Sequence, residues 1–143
     1  MKVSQLSVFL ENKSGRLAEV TRTLADANIN IRALSIADTI DYGLLRLIVN
    51  DPVRAKAALT DEGYTVAMTE VLAIEVPDSP GGLAGIIDIF SENKLNIEYM
   101  YAFVGTSGRN AIVVFRTQNV DEAIAALQKR GVRILTGEEL HSL

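Results

Sequence analysis

The stretch that decides the fold covers residues 6–31 and reads LSVFLENKSGRLAEVTRTLADANINI. It opens with alternating apolar and polar residues, which is typical of a strand with one buried face. A turn follows at Asn12-Lys13-Ser14-Gly15, where Asn12 or Ser14 can cap a helix. Apolar residues then recur at helical spacing, at Leu17, Val20 and Leu24. A second strand begins at Ile31, so the stretch predicts a β-α-β unit.

The same pattern returns 66 positions later, at residues 72–97, as LAIEVPDSPGGLAGIIDIFSENKLNI. The identical pairs are Leu6 and Leu72, Gly15 and Gly81, Leu17 and Leu83, Ala18 and Ala84, Asn30 and Asn96, and Ile31 and Ile97. An insertion near residues 105–108 raises the offset to 68 for the remainder of the unit. Self-similarity at a fixed offset indicates a duplicated structural unit. We therefore assign residues 1–69 to the first copy and 70–143 to the second.

The rest of each copy predicts two further strands and a second helix. In the first copy these elements are a turn at residues 41–43, a strand at 44–49, a helix that Asp51 caps and Pro52 opens, and a strand at 64–68. In the second copy they are strands at 97–104, 112–116 and 132–135, a helix at 120–130 and a helical turn after Gly137. The order β-α-β-β-α-β favours an α+β, ferredoxin-like fold for each unit, with a four-stranded antiparallel sheet and two helices on one face. Thr69-Glu70 alone joins the copies, so we expect no flexible linker.

Composition narrows the class of protein. A net charge of −4 and a pI near 5.0 give no reason to expect nucleic acid or an anionic membrane as a partner. The absence of cysteine excludes disulfides and cysteine metal sites, and we expect no metal. The N-terminal residues run directly into a strand pattern without the apolar stretch of a signal peptide. These observations predict a cytoplasmic protein.

Catalytic residues are scarce in this sequence. A nucleophilic triad or an acid–base pair needs histidine, cysteine or matched carboxylates in one place. The chain has one histidine, His141, close to its end, and its acidic residues are scattered. The glycine-rich stretch at residues 80–85 lacks the lysine of a phosphate-binding loop. We therefore predict a non-enzymatic protein without a cofactor.

The two repeated turns resemble a known family. Glu11-Asn12-Lys13-Ser14-Gly15-Arg16-Leu17, with Asn30-Ile31, resembles the ACT domain of amino-acid-regulated enzymes such as phosphoglycerate dehydrogenase. Pro77-Asp78-Ser79-Pro80-Gly81-Gly82-Leu83, with Asn96-Ile97, is a second occurrence, and the resemblance covers about residues 3–136. It implies a tandem ACT protein without an attached catalytic domain. It also implies an allosteric regulator that binds a free amino acid between ACT units and signals to an enzyme or transcription factor. We also expect a homodimer, because the sheets still present edges.

The resemblance also implies where the amino acid binds. The N-terminus of the first helix of each unit suits an α-carboxylate, and Gly15 lets the backbone approach the ligand. Asn12 and Asn30 would hold the α-amino and α-carboxylate groups, above a floor of Leu17 and Ile31. The implied ligand-binding set is Asn12, Ser14, Gly15, Arg16, Leu17, Asn30, Ile31, Asp78, Gly81, Gly82, Leu83, Asn96 and Ile97. Because Asp78 replaces Asn12, we expect the two sites to differ.

Each of these residues also has a purely structural explanation. Gly15 and Gly81 fit a tight turn, Asn30 fits the turn into the next strand, and Arg16 fits a solvated charge. The alternative hypothesis is therefore a dimerising protein–protein interaction module that has no ligand. Alanine substitution of Asn30 and Asn96 separates the two hypotheses. Loss of ligand binding with an unchanged fold favours the sensor, and no effect except on assembly favours the interaction module.

Overall fold

The chain divides into two compact units in the computed structural model. The first unit is Ser4–Thr69, and the second unit is Glu70–Leu143 together with Met1–Val3. The structure describes residues 1–38, 42–107 and 110–143. Asp41 of the predicted turn and Gly108 of the insertion lie outside the described residues. A single strand crosses the boundary between the units, so their connection is a strand and not a flexible linker.

The first unit contains four strands and two helices. Its elements are β1 (Val3–Glu11), α1 (Arg16–Asp26), β2 (Ile31–Asp38), β3 (Tyr42–Val49), α2 (Pro52–Asp61) and the first part of β4 (Thr65–Pro77). The strand order is β2-β3-β1-β4. Strand β3 pairs antiparallel with both β1 and β2. This is the predicted β-α-β-β-α-β unit with the strand order of a ferredoxin-like sheet.

The second unit repeats this arrangement. Its elements are the second part of β4, then α3 (Gly82–Glu92), β5 (Tyr99–Ser107), β6 (Asn110–Arg116), α4 (Val120–Lys129), β7 (Ile134–Leu135) and α5 (Gly137–His141). The strand order is β7-β4-β6-β5, and all three neighbouring pairs are antiparallel. The predicted fold is therefore confirmed for both copies.

Each unit has its own hydrophobic core between its helices and one face of its sheet. In the first unit, alternate residues of β1 pack with the buried stripe of α1, and the main members are Leu6, Val8, Leu10, Val20 and Leu24. In the second unit, the rings of Phe90 on α3 and Phe115 on β6 stack with their centroids 5.3 Å apart. Along a strand, every second side chain points to the same face of the sheet, and along α1 and α3 the apolar side chains recur at helical spacing. Both patterns place these side chains between the helices and the sheet.

Several predicted boundaries differ from the structure. Strand β5 begins at Tyr99 and not at residue 97, because its ladder starts with the pair Tyr99 and Arg116. Strand β6 begins at Asn110 and not at residue 112, since it pairs along β4 as far as Pro77. The last strand is limited to two residues, Ile134–Leu135. The predicted C-terminal helical turn is confirmed as α5.

The helix caps were predicted correctly in one place and wrongly in another. The Asp51 carboxylate accepts a hydrogen bond of 3.2 Å from the backbone N–H of Arg54, as expected for the cap of α2. The N-cap position of α1 is occupied by Gly15, with φ 88°, and not by Asn12 or Ser14. Glycine adopts this left-handed conformation without strain, and it has no side chain that could act as the cap.

Candidate ligand-binding site

The N-terminal tips of α1 and α3 are built in the same way. Their N-cap residues, Gly15 and Gly81, have φ values of 88° and 86°. Because both N-cap residues are glycines, neither supplies a side-chain cap hydrogen bond. The first N–H groups of a helix have no acceptor inside the helix and carry a partial positive charge. Both tips can therefore accept an anionic group such as a carboxylate.

Gly82 follows the second tip and is required for a different reason. A Cβ atom at Gly82 would lie 2.0 Å from the carbonyl oxygen of Pro77, which is an impossible contact. The position that matches it in the first unit is Arg16, which has a long side chain. The chain therefore folds back more tightly before α3 than before α1. This local difference makes the two tips unequal.

The predicted tip side chains are open to solvent. Asn12, Ser14 and Leu17 are exposed at the first tip, and Asp78 and Leu83 are exposed at the second. Leu17 and Leu83 therefore do not lie in the core of their own units, although both are large apolar side chains. An exposed leucine beside a glycine-capped helix tip is available for a ligand or for another protein surface.

The strand-opening asparagines lie at the far end of each sheet from these tips. In the first unit, Glu11 pairs with Tyr42 at one end of β3, while Ile31 pairs with Val49 at the other end. The eight residues of β3 span roughly 23 Å at a rise of about 3.3 Å per residue. Asn12 and Asn30 are thus separated by about the length of the sheet, and so are Leu17 and Ile31. The structure does not bring them together within one unit.

The second unit has the same separation. Pro77 pairs with Asn110 at one end of β6, and Tyr99 pairs with Arg116 at the other. Gly81 follows the first of these pairs, and Asn96 precedes the second. Ile31 and Ile97, next to the two asparagines, are partly buried against the cores of their units. Each unit therefore has a helix tip at one end and an asparagine at the other.

The backbone of Asn30 is fixed by a neighbouring asparagine. Its N–H donates a 2.9 Å hydrogen bond to Oδ1 of Asn50, and the N–H of Asn50 donates a 3.2 Å hydrogen bond to the carbonyl oxygen of Asn30. These contacts use the main chain of Asn30, and its side chain is exposed. The side-chain amide of Asn30 therefore does not hold this turn.

A cavity of about 380 Å³ opens in the first unit at the end of the sheet that carries the α1 tip. It is lined by Phe9, Leu10, Glu11, Arg16, Glu19, Tyr42, Glu62, Gly63, Tyr64 and Thr65. Of the predicted ligand-binding residues that the structure describes, Arg16 is the one that lines it. Its guanidinium lies 3.2 Å from Glu19 and 4.0 Å from Glu11. Arg16 is therefore ion-paired here and not a bare cation.

Hydrogen bonds organise the charges around Arg16. The hydroxyl of Tyr64 donates a 2.7 Å hydrogen bond to Glu19, and this bond, together with Arg16, lowers the pKa of Glu19 from its usual 4.5. The contact with Lys13 at 2.7 Å, reinforced by Arg16, likewise lowers the pKa of Glu11. Burial and the bond to Glu19 raise the pKa of Tyr64. Glu19 and Tyr64 were not predicted as site residues, because 45 residues separate them and no local pattern signals their contact.

We expect Glu19 to make stability depend on pH. A carboxyl group whose pKa is lower in the folded state stabilises the fold above its unfolded pKa, and this contribution is lost as the pH falls through the folded pKa. Glu19→Gln should therefore reduce the urea midpoint at neutral pH, and the difference from wild type should shrink below a pH of about 4.5. Urea titrations of both proteins at neutral pH and at about pH 3 measure it. An equal difference at both pH values would contradict the assignment.

A second cavity, of about 400 Å³, lies in the second unit at the end opposite the α3 tip. It is lined by Lys94, Asn96, Glu98, Thr117, Gln118 and Asn119. Of the predicted ligand-binding residues that the structure describes, Asn96 is the one that lines this cavity. The predicted set is thus distributed over the two helix tips and the opposite ends of the two units, with Arg16 lining the first cavity and Asn96 lining the second.

Two further properties bear on the class of protein. Over residues 1–38, 42–107 and 110–143, no helix has the length and apolar character needed to cross a bilayer. The same residues contain no group of three or more histidine, cysteine or acidic side chains placed to hold a metal ion.

Comparison with known proteins extends the structural argument. The family model for the ACT domain pair matches residues 1–143. Protein BT0572 from Bacteroides thetaiotaomicron is 45% identical, with a TM-score of 0.93, and the match covers 100% of this chain and 98% of that one. No curated protein matches the sequence.

Two more distant solved structures share the fold. The regulatory subunit of aspartate kinase from Thermus thermophilus, in a ligand-free form, is 17% identical with a TM-score of 0.61, and the match covers 88% of this chain and 91% of that one. The corresponding subunit from Thermus flavus is 17% identical with a TM-score of 0.60, and the match covers 88% and 90%. The family match covers the whole sequence, and it agrees with the duplicated fold and with the glycine-capped helix tip in each unit. This chain belongs to the family of ACT domain pairs.

Proposed function

We propose that this ACT domain pair is a sensor of a free amino acid and regulates a partner protein without chemistry of its own. The observation that carries the proposal is the pair of helix tips whose N-cap residues, Gly15 and Gly81, have no side chain to cap the helix. Each tip offers backbone N–H groups and a positive helix end to a carboxylate. We expect the protein to act in the cytoplasm on an enzyme or a transcription factor.

The proposed repeats are residues 1–69 and 70–143, and the ligand lies between ACT units. Within a unit, the tip and the strand-opening asparagine are roughly 20 Å apart. One amino acid is far shorter than this distance. A site that uses both features therefore combines the tip of one ACT unit with the asparagine of another.

The proposed binding residues come from both ends of the units. They are Asn12, Ser14, Gly15, Arg16, Leu17, Asn30 and Ile31 in the first repeat, and Asp78, Gly81, Gly82, Leu83, Asn96 and Ile97 in the second. The two tips should bind with different strength. Asp78 adds a negative charge where the first tip has Asn12, and a carboxylate ligand is repelled by such a charge.

Binding would regulate by selecting one arrangement of ACT units. A ligand shifts an equilibrium only by its difference in affinity between the two states. An amino acid held by groups from two units binds best when those units are close together. The arrangement with the complete site is therefore stabilised, and a partner that contacts the units can respond to it.

The alternative function is a dimerising interaction module without a ligand, and the edge of the first unit favours it. Strand β2 is at the end of the strand order, and Leu34 and Ile36 on it are exposed. Both point to the helix-bearing side, because they pair with the core residues Leu47 and Leu45 of β3. An edge strand with exposed apolar residues is suited to pairing with a second copy of the chain. Such a homodimer is also compatible with the sensor.

Thermal unfolding in the presence of each standard L-amino acid at millimolar concentration separates the two functions. A ligand present at a hundred times its dissociation constant stabilises a protein by about 2.7 kcal/mol, which raises Tm measurably. Asn30→Ala combined with Asn96→Ala should remove this increase and leave Tm without ligand nearly unchanged. The reason is that the backbone of Asn30, and not its side chain, makes the 2.9 Å and 3.2 Å turn contacts.

The control is Val53→Ala, which removes an exposed side chain on α2. This variant should retain the full increase in Tm. If the double variant keeps the increase as well, the asparagines do not bind the ligand. If no amino acid raises Tm and the double variant changes only the oligomeric state, the interaction module is the better description.

A further inference from the structure

We propose that a groove between α3 and α4 binds an arginine side chain presented by the protein that this ACT domain pair regulates. The inference rests on the proposed function only for the existence of such a partner, and it names the surface that contacts it. The groove encloses about 330 Å³, which is space for one long side chain. It is lined by Asn93, Leu95, Glu122, Ala125, Ala126 and Lys129.

The first unit contains the same apolar surface at the C-terminus of α1. The offsets of 66 and 68 residues match each lining residue with a residue of the first unit, and the apolar pairs are Leu95 with Ile29, Ala125 with Ala57, and Ala126 with Ala58. Leu95 and Ile29 are buried to the same degree, with 6% and 7% of each side chain exposed. The main differences between the two units are therefore in the polar residues around this surface.

In the first unit, an arginine of the chain itself occupies this position. Nη2 of Arg54 donates a 2.7 Å hydrogen bond to the carbonyl oxygen of Ala27, the C-cap residue of α1. The last carbonyl groups of a helix have no partner inside the helix and carry a partial negative charge, so they favour a guanidinium. The first unit therefore shows which group this position of the fold binds when it is occupied.

The second unit has an acceptor where the first has this donor. Glu122 matches Arg54, Asn93 matches Ala27, and both Glu122 and Asn93 line the groove. A carboxylate cannot donate a hydrogen bond to the C-cap carbonyl. The N–H and the Nδ2 of Asn93 both donate to Ile89, at 3.2 Å and 2.7 Å, and its carbonyl oxygen accepts no hydrogen bond from residues 1–38, 42–107 and 110–143. Two acceptors thus face the place that a guanidinium takes in the first unit.

The charge of Glu122 is also available to a partner. Helix α4 has two acidic residues in its first turn, and one of them, Asp121, is paired with Lys2 at 3.1 Å. Glu122 is exposed and forms no ion pair within the part of the chain that the structure describes. A guanidinium has five N–H donors in one plane, so it can bind a carboxylate with two of them and still donate to a carbonyl. Lysine offers a single ammonium group and cannot form this planar arrangement.

The shape and the charges of the groove favour a side chain that comes from another protein. Asn93, Glu122, Ala125 and Lys129 are exposed, so a side chain can enter while its own backbone stays outside. Lys129 lies seven residues after Glu122 on the same face of α4, about 10 Å away at a rise of about 1.5 Å per residue. A partner segment with an arginine at one end and a carboxylate about 10 Å further on therefore complements both charges.

Amide-resolved NMR of the full chain with N-acetyl-L-arginine amide tests the proposal. This probe carries the guanidinium but has no free ammonium or carboxylate group, so it lacks both groups that define a free amino acid. At concentrations up to about 50 mM, which suit a ligand of this small size, it should shift the backbone amides of Asn93, Glu122 and Ala126. The matching amides of the first unit should not shift, because Arg54 occupies that position. N-acetyl-L-citrulline amide, which is neutral, should bind at least about tenfold more weakly.

Two variants and a matched control locate the binding. Glu122→Gln should raise the dissociation constant of the probe at least about fivefold. Glu122→Arg should abolish the shifts, because its own guanidinium takes the place of the probe as in the first unit. Glu138→Gln makes the same change at an exposed residue in the first turn of α5, and this control should bind like wild type. Unchanged amide positions outside α3 and α4 show that each variant is folded.

Three results would overturn the proposal. They are the absence of shifts at the groove in wild type, equal binding of the probe by wild type and Glu122→Arg, and equal binding of the arginine and citrulline probes. Free L-arginine that binds in the groove at least about tenfold more tightly than the probe would also overturn it, since the occupant would then be a free amino acid. Thermal unfolding with free amino acids tests the proposed function separately. A rise in Tm without any shift by the probe removes the groove and leaves the sensor, and the opposite pair of results supports the groove and removes the sensor.

Discussion

Replacing Phe90 with alanine is expected to lower the free energy of unfolding of the second unit by about 3–5 kcal/mol. Phe90 is only 1% exposed, and its ring stacks on Phe115 at a centroid distance of 5.3 Å. The substitution removes the apolar contact area of the ring and leaves a cavity that the surrounding strands fill only in part. Since a small domain has a total stability of about 5–15 kcal/mol, this unit would be close to unfolding at room temperature.

Phe9→Ala is the matched control for Phe90→Ala. Phe9 is 51% exposed, so its removal should cost about 1 kcal/mol or less. Urea titrations followed by circular dichroism measure both variants. A loss below about 1 kcal/mol for Phe90→Ala would contradict the assignment of Phe90 to the centre of the second core.

Gly82→Ala is expected to be the most damaging single-methyl substitution in the second unit. The new Cβ would lie 2.0 Å from the carbonyl oxygen of Pro77, and that atom belongs to the backbone. Relief of such a contact requires a shift of the turn or of the start of α3, at a cost of about 1–3 kcal/mol or more. Under the proposed function, the substitution should also weaken amino-acid binding at the second tip, because the N–H of Leu83 would move, whereas the N–H of Gly82 already donates to the carbonyl oxygen of Ser79 at 2.9 Å.

Gly85→Ala adds the same methyl group three residues later and serves as the control. Nothing lies within 4 Å of a Cβ atom at Gly85, and the residue is inside α3. This variant should be stabilised by about 0.5–1 kcal/mol, since alanine favours a helix over glycine. Urea midpoints of the two variants should therefore change in opposite directions. A Gly82→Ala protein as stable as Gly85→Ala would show that the turn has room for a side chain.

Most of the fold follows from the repeated pattern of residues 6–31 and 72–97. Alternation on the strands and helical spacing on α1 and α3 fix which side chains are buried, and two copies in register remove most of the ambiguity. The exact ends of β5 and β7 could not be predicted in this way. They depend on which residues pair across the sheet, such as Tyr99 with Arg116, and this pairing is not a local property.

The candidate site was predicted less completely than the fold. The sequence predicted a carboxylate-binding helix tip in each unit, but it offered Asn12 or Ser14 as the cap of the first helix and placed the tips beside the asparagines that open the second strands. The order β-α-β-β-α-β itself implies otherwise, because the chain travels the length of α1 between Asn12 and Asn30. The contact between Tyr64 and Glu19 and the cavity at Thr117 arise from residues distant in sequence, and neither has a local signal.

The duplication also explains why the two repeats need not have the same role. After a duplication each copy can lose a feature that the other retains. The first repeat has Arg16 and a charged cavity at its helix tip, whereas the second has the tight turn at Gly82 and an open cavity at the start of α4. We therefore expect the affinities of the two repeats for an amino acid to differ.

Equilibrium dialysis of the purified chain against each radiolabelled standard amino acid tests the central claim most directly, because it counts bound ligand whatever the enthalpy of binding. The account predicts saturable retention of at least one amino acid, and a loss of retained amino acid in the variant Asn30→Ala, Asn96→Ala. Retention of none of them at millimolar concentration would contradict the claim that this ACT domain pair senses a free amino acid.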